Sequence, residues 1–424
     1  MAAATTTVYP EAASTEGGRL SVGGCDAVEL AREFGTPAYV YAEDDLRARA
    51  RELVGAMERH HAPARGRAGA ADGSGPRSTV AFASKAFPCT AALRLFREEG
   101  LAVDVASAGE LHLARRAGYG PGETIVHGNA KAASELRAAL GCTIVVDNAD
   151  ELERLSRIAG GEQRVLLRIT PGVSTDTHAA VATGQADSKF GFSMADAPHA
   201  IERATAAFDL RGLHFHVGSQ IFDEQPYRQA VAALATLGEF PEYDLGGGFG
   251  VAYTAGERSV DLDARVGAMV SAAHDLLDAE AKPLTIEPGR ALVAAAGVTL
   301  YTVESVKRNV STWVAVDGGM SDNLRPLLYG SPYHADVADR LGGETVCHLA
   351  GKHCESGDVI ARDVSLDDPR PGDVVATPVT GAYGHAMANN YNGVPRPPVI
   401  FCAGGSARVV VRRETVEDLH ARDV

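Results

Sequence analysis

The sequence predicts an α/β protein, a (β/α)8 TIM-type barrel followed by a second, mostly antiparallel β-domain. Eight short apolar strand patterns recur between Thr79 and Glu287, with helical patterns between most of them. That alternation builds a parallel barrel. Past about Arg308 the texture changes to short strands punctuated by Gly, Pro and Asp, which suits antiparallel pairing. The chain has 424 residues, too many for one ordinary domain. The expected division is an N-terminal tail and segment packing on the β-domain (1–43), a barrel (44–308) and a C-terminal β-domain (309–424).

The elements follow in order. Met1 to Gly18 is Ala/Thr-rich, lacks the basic and apolar regions of a signal peptide, and is expected to be a loose tail. Ala27 to Phe34 suits a short helix, Ala38 to Tyr41 a strand, and Asp44 to Arg59 a charged amphipathic helix. Ala62 to Arg77 has no periodicity and is expected to be a surface loop. The barrel strands are expected at Thr79–Lys85, Ala102–Ala106, Thr124–His127, Thr143–Val146, Arg164–Ile169, Leu210–Val217, Glu242–Leu245 and Leu284–Glu287. Between them, Thr90–Glu99 runs to Gly100, a residue that suits a helix C-cap. Ser107-Ala108-Gly109-Glu110 is a capping box opening a helix through Arg116. Asn148–Ile158 and Leu262–Ala281 are also helical in pattern. In the β-domain, strands are expected at Trp313–Asp317, Thr345–Ala350, Val374–Pro378, Val399–Cys402 and Arg408–Arg412.

Composition excludes several classes of function. Net charge is −15 and no basic cluster is present, which argues against nucleic acid as a partner. No apolar run approaches a membrane span. The six cysteines are scattered and none has metal-site spacing, so no metal is expected, and a reduced, cytoplasmic protein is.

Lysine is scarce, and Lys85 alone closes an apolar strand. An ammonium is costly to bury unless paired or neutralised, and a lysine of depressed pKa can form a Schiff base with an aldehyde cofactor. The plainer alternative is a strand-end lysine that snorkels to water. Other polar groups fall at strand ends, where barrels keep their chemistry. They are Asp104, His127-Gly128-Asn129, Arg168, the run His214 to Gln220, Gly246-Gly247-Gly248-Phe249-Gly250, and Glu287-Pro288-Gly289-Arg290. The glycines let backbone N–H groups approach a phosphate, or simply make a tight turn. Ser219 could donate to the same phosphate. His216 could stack on a flat ring or be a satisfied core histidine. Glu287 could keep a pyridine nitrogen protonated, or pair with Arg290.

Taken together, these motifs resemble the group-IV, alanine-racemase-like pyridoxal phosphate decarboxylases, and among them most closely the diaminopimelate decarboxylases. The likeness runs from about Phe34 to Val424. It is carried by Phe82-Ala83-Ser84-Lys85-Ala86, Asp104 to Leu111, His127-Gly128-Asn129, Gly184-Gln185 with Ser188-Lys189-Phe190-Gly191, and His216 to Gln220. Further on it is carried by Glu287 to Arg290, Asp317 to Asn323, Cys354-Glu355-Ser356-Gly357-Asp358 and Gly381-Ala382-Tyr383. The resemblance implies that the cofactor is pyridoxal 5'-phosphate, with Lys85 as its Schiff-base lysine. His216 would stack on the ring, with Asp104 and Arg168 close by. Ser219, Gly247, Gly248, Gly289, Arg290 and Tyr383 would surround the phosphate, and Glu287 would face the pyridine nitrogen. Cys354 would be the proton donor, reaching the site from the partner subunit of a homodimer.

The implied substrate is a small amino acid, diaminopimelate, with an ammonium and a carboxylate at its far end. Both need fixed counter-charges, because an unpaired buried charge is costly. Arg325 and Tyr329, with Arg290 nearby, could take the carboxylate, and Glu355 the ammonium. Ornithine-type relatives typically carry aspartate where Glu355 stands. The chain departs from the family pattern at Ala130 and Ala132, which replace an asparagine and a serine, and in the length of the 62–77 loop. Three other readings stay open: the same chemistry on another or carrier-bound amino acid, a cofactor-binding regulator without catalysis, and a bare barrel.

Overall fold

The structure, a computed structural model, describes residues 8–61, 78–173 and 188–424. It divides into two units. One comprises 49–250 and 260–289, the other 1–48, 251–259 and 290–424.

In the first unit the eight short strands close into a ring. They are β1 Thr79–Ala83, β2 Ala102–Val105, β3 Thr124–Val126, β4 Thr143–Val146, β5 Arg164–Thr170, β6 Asp209–His214, β7 Glu242–Asp244 and β8 Leu284–Ile286. Every neighbouring pair is parallel, and β8 pairs with β1 to complete the barrel. Ala81, Ile125, Val145 and Leu166 pack together as buried filling, one contribution from each of four strands, so this is a solid core rather than a pore. The strands are shorter than their apolar patterns at the C-terminal end. β1 stops at Ala83 and passes into a 3-10 turn over Ser84–Ala86, so Lys85 stands on a turn and its side chain is exposed. β6 stops at His214, leaving His216 beyond the ladder.

Register decides which side chains share a level. Arg168 pairs with His214, His214 with Asp244, and Asp244 with Thr285. On the other side Ala83 pairs with Asp104 and Asp104 with Ile125. The caps fix the strand-to-helix turns. Ser107 Oγ accepts from Glu110 N at 3.2 Å, and Glu110 Oε2 accepts from Ala106 N at 2.7 Å. Gly100 takes φ +86° after the helix Thr90–Glu98, a left-handed turn that only glycine makes cheaply. At the departure from the family pattern, Ala132 has no capping side chain. Glu135 Oε2 takes its N–H instead, at 2.9 Å.

The second unit is mostly antiparallel. Gly297–Arg308, a strand the sequence pattern had left inside the barrel segment, pairs antiparallel with Ala38–Ala42, Thr312–Val316 and Val374–Pro378. Its alternation is blurred because its first seven residues are all buried apart from Thr302, so it reads as continuous apolar sequence. Two pairs are parallel: Thr312–Val316 with Thr345–Ala350, and Val399–Ala403 with Ala38–Ala42. The described part of the N-terminal tail is not loose. Ala13–Glu16 pairs with Arg19–Val22, and Tyr9 is buried and donates to Asp336 at 2.8 Å. The amides of Glu11 and Ala12 are held by the Asp45 carboxylate. No helix among the described residues is long and apolar enough to cross a membrane.

Candidate active site

The barrel's C-terminal end carries a buried carboxylate held by two imidazoles. Glu287 follows β8, and its Oε1 lies 2.6 Å from His127 Nε2 and its Oε2 3.2 Å from His214 Nε2. Burial alone would raise its pKa, but the two histidines outweigh that and hold it well below the usual carboxylate range. Asp244, on the neighbouring strand, moves the other way. Burial and the Glu287 charge raise its pKa well above the ordinary value, so the pair keeps its negative charge on Glu287 and its proton on Asp244. Asp104 is pushed up to about 6 by burial, opposed by His127, whose Nε2 is 3.8 Å from Asp104 Oδ1.

Arg168 is buried at the end of β5 and lies 4.4 Å over the Phe190 ring. Gly191 allows that approach, since a Cβ there would meet Arg168 O at 2.9 Å. Burial, then the charges of Lys85 and Arg168, lowers the His216 pKa well below its ordinary value. Its ring is therefore neutral. Two loops meet beside it. Ile221 N donates to Gly248 O at 2.9 Å and Gly250 N to Ile221 O at 3.1 Å, which ties the Ser219 loop to the glycine cluster. A Cβ on Gly247 would lie 2.0 Å from Glu287 O, and one on Gly248 2.1 Å from Gly218 O. Backbone packed this closely leaves no room for side chains, and the turn is tied to its neighbours by Gly246 N donating to Asp244 Oδ1 at 2.9 Å and Gly247 N to His216 Nδ1 at 3.4 Å.

The second unit holds a separate group of cations and phenols. Arg290 Nη1 donates to Tyr253 Oη at 2.5 Å, and its guanidinium lies 4.9 Å from the Tyr383 ring. Arg325 is buried, stacks 4.4 Å from the Tyr253 ring and donates to Tyr333 Oη at 2.5 Å. Its Nε has no hydrogen-bond partner, and it forms no ion pair with a carboxylate among the described residues. A buried guanidinium facing phenols has capacity for an anion. Tyr329, singled out with Arg325 in the sequence, ends the same short helix. The phenols flanking the arginine are Tyr253 and Tyr333, which no sequence motif had marked.

Cys354 and Glu355 are exposed on a loop of this unit. The loop is firmly built. Asp358 accepts from His353 N at 2.9 Å and from Met320 N at 2.7 Å, and His353 Nε2 lies 2.9 Å from Ser321 Oγ. Cys354 N donates to Asn392 Oδ1 at 3.1 Å. Gly184 and Gln185 lie outside the described residues.

Residues 65–294 match the family model of the pyridoxal-dependent decarboxylases, pyridoxal binding domain. The chain belongs to the pyridoxal-dependent decarboxylase family. A diaminopimelate decarboxylase from Actinosynnema pretiosum is 47% identical to this member over 99% of the chain and 96% of the relative. One from Bacillus subtilis is 42% identical over 96% and 95%. The crystal structure of diaminopimelate decarboxylase from M. jannaschii in complex with L-lysine superposes with TM-score 0.88 and 32% identity, covering 98% of both chains. The residues of this decarboxylase fit the cofactor of its family. They supply an exposed amine on the turn after β1, a neutral imidazole, a carboxylate held ionised and a glycine turn.

Three members of the site lie outside the motif reading: Asp244, and the roles of His127 and His214. Strand alternation marks His214 and Asp244 only as inward-facing. Nothing local reveals that both, with His127 from β3, meet at Glu287.

Proposed function

We propose that this chain decarboxylates meso-2,6-diaminopimelate to L-lysine and CO2, the last step of lysine biosynthesis, as a pyridoxal phosphate-dependent carbon–carbon lyase. The observation that carries the substrate choice is Arg325, a buried cation surrounded by phenols and lacking a carboxylate partner among the described residues. A substrate with a distal carboxylate supplies that partner; lysine and ornithine do not. Arg290 and Tyr329 assist, and Glu355 takes the distal ammonium.

When bound, pyridoxal phosphate supplies the sink for the electron pair released as CO2 departs. Lys85 provides the amine that anchors its aldehyde. Glu287 keeps a proton on the ring nitrogen, and neutral His216 stacks on the ring beside Asp104 and Arg168. Ser219, Gly247, Gly248, Gly289, Arg290 and Tyr383 receive the phosphate. Cys354 gives the proton that replaces the carboxylate.

The working form is a cytoplasmic homodimer in which Cys354 and Glu355 serve the partner's site. Three observations support it. Both residues are exposed. Leu327 and Leu328 beside them are 44% and 48% exposed, and Leu327 packs on the same loop, its Cδ1 2.6 Å from where a Gly357 Cβ would stand. Exposed apolar pairs beside reactive groups suit an interface. The six cysteines are all unpaired thiols, as a reducing compartment keeps them.

The test is lysine formation from meso-diaminopimelate by purified, cofactor-loaded protein, with Lys85→Ala alongside. Lysine should form with the intact protein only. Its absence from protein that carries the cofactor's visible absorbance would refute the assignment.

A further inference from the structure

Glu287 is held on both sides. His127 Nε2 faces one oxygen at 2.6 Å and His214 Nε2 the other at 3.2 Å. The two imidazoles meet edge to face, with 4.8 Å between centroids and 65° between planes. His127 leaves β3 and His214 ends β6, so the contact bridges distant strands of the barrel. All three side chains are buried, as is Asp244. One imidazole nitrogen or carboxylate oxygen from each of the four lies within 4.8 Å of the others.

Donor bookkeeping assigns the tautomers. An ionised carboxylate only accepts, so each imidazole presents Nε2–H to it. Each oxygen keeps a second lone pair, which leaves acceptor capacity for one more N–H. Burial holds His214 neutral, with its pKa lowered to about 3. A neutral donor orients a carboxylate without cancelling its charge, whereas a lysine or arginine at the same place would take that charge for itself. Asp244 Oδ1 accepts from Gly246 N at 2.9 Å, and its Oδ2 has no hydrogen-bond partner. Burial and the Glu287 charge raise the Asp244 pKa well above its ordinary value, so Asp244 keeps its proton beside the ionised Glu287.

We infer that His127 and His214 are positioning residues, two Nε2–H donors that hold Glu287 ionised and aimed at the ring nitrogen of the cofactor. This rests on the proposal that Glu287 faces that nitrogen. Lys131 secures one arm of the device. Its ammonium donates to Gly128 O at 2.6 Å and Val145 O at 2.8 Å and pairs with Glu151 at 2.9 Å, which pins the turn that carries His127.

The experiment compares pyridoxal phosphate with its 1-deaza analogue, in which the ring nitrogen is a CH group. Dissociation constants are measured by visible absorbance for wild type, His127→Leu, His214→Phe, the donor-retaining His127→Gln, and Glu287→Gln as reference. The apolar variants should bind pyridoxal phosphate about 10- to 100-fold more weakly, the span expected for losing a hydrogen bond to a charged group. Their affinity for the deaza analogue should stay at the wild-type value, and His127→Gln should recover most of the loss. Equal losses for both cofactors would mean the histidines serve only the fold, and no loss for either would mean they do not hold Glu287; either overturns the inference. If Glu287→Gln itself fails to discriminate the two cofactors, the assignment of Glu287 to the ring nitrogen falls instead. Should the apolar variants not fold, His127→Asn, whose amide is too short to reach Glu287, is put to the same comparison: selective loss supports the inference and unselective loss refutes it.

Discussion

Arg325 stacks its guanidinium 4.4 Å from the centre of the Tyr253 ring, and the contact places a fixed cation against aromatic carbon rather than against a carboxylate. Such a charge contributes little to folding, because a buried ion without a counter-ion costs free energy. Arg325→Met keeps the apolar stem against Tyr253 and removes the charge. The melting temperature should hold or rise. The kcat/KM for meso-diaminopimelate should drop by about 10²- to 10³-fold, the usual cost of removing one member of a buried charge pair. Turnover of an amino acid without a distal carboxylate should be unaffected. An equal loss on both substrates would sink the carboxylate role.

The exposed loop of Cys354 makes a prediction about assembly. Lys85→Ala and Cys354→Ala should each be inactive as homodimers. Mixed under conditions of subunit exchange, they should recover up to about a quarter of wild-type activity, since half the dimers are mixed and each then carries one intact site. Activity that stays at the sum of the two separate variants would show that each site is complete within one chain.

The barrel was legible in the sequence because its strands are short, mostly apolar runs at regular spacing and its helix caps are local. Ser107 with Glu110 and the left-handed Gly100 stand where the pattern places them. What stayed hidden depends on distant pairing. Tyr9 was read as tail because its partner, Asp336, is more than three hundred residues away. The strand Gly297–Arg308 merged with the barrel segment because burial on both faces erased its alternation. At the site, Lys85, His216 and Glu287 stood out at strand ends. Tyr253 and Tyr333 did not, since tyrosines in loops carry no signal until the fold brings them to Arg325.

The glycine cluster tests the packing of the turn. At Gly247 an added Cβ would lie 2.0 Å from the Glu287 carbonyl oxygen, a backbone atom that cannot step aside cheaply. Gly247→Ala should cost about 1–3 kcal/mol of stability, as overpacking does. It should also weaken cofactor binding, because moving the Glu287 backbone moves its carboxylate. Gly160→Ala, where nothing lies within 4 Å of the added atom, is the control. Wild-type stability and cofactor affinity in Gly247→Ala would show that the loops are not packed as described.

Asp322 gives the chain a pH-dependent weakness outside the barrel. Its side chain is buried, accepting from Tyr301 Oη at 2.6 Å and Gly319 N at 2.8 Å. Burial pushes its pKa up to about 7, the two donors oppose this, and the charges of Asp358 and Asp317 add to it. An unfolded aspartate titrates near 3.9. Below about pH 4 both states hold the proton and the group is neutral toward stability. Between about 4 and 7 the folded state keeps a proton the unfolded state has lost, so stability falls as pH rises, by at most about 1.4 kcal/mol per pH unit. Above 7 the full penalty remains. Asp322→Asn replaces the carboxyl with an isosteric neutral amide whose oxygen can accept from Gly319 N and whose NH2 can donate to Tyr301. Wild type and variant should unfold at similar temperatures at pH 4.5, and the variant should gain on wild type up to about pH 7 and hold that gain at pH 8. Parallel stability profiles across that range would show that Asp322 is already ionised when folded, its charge carried by the Tyr301 and Gly319 donors.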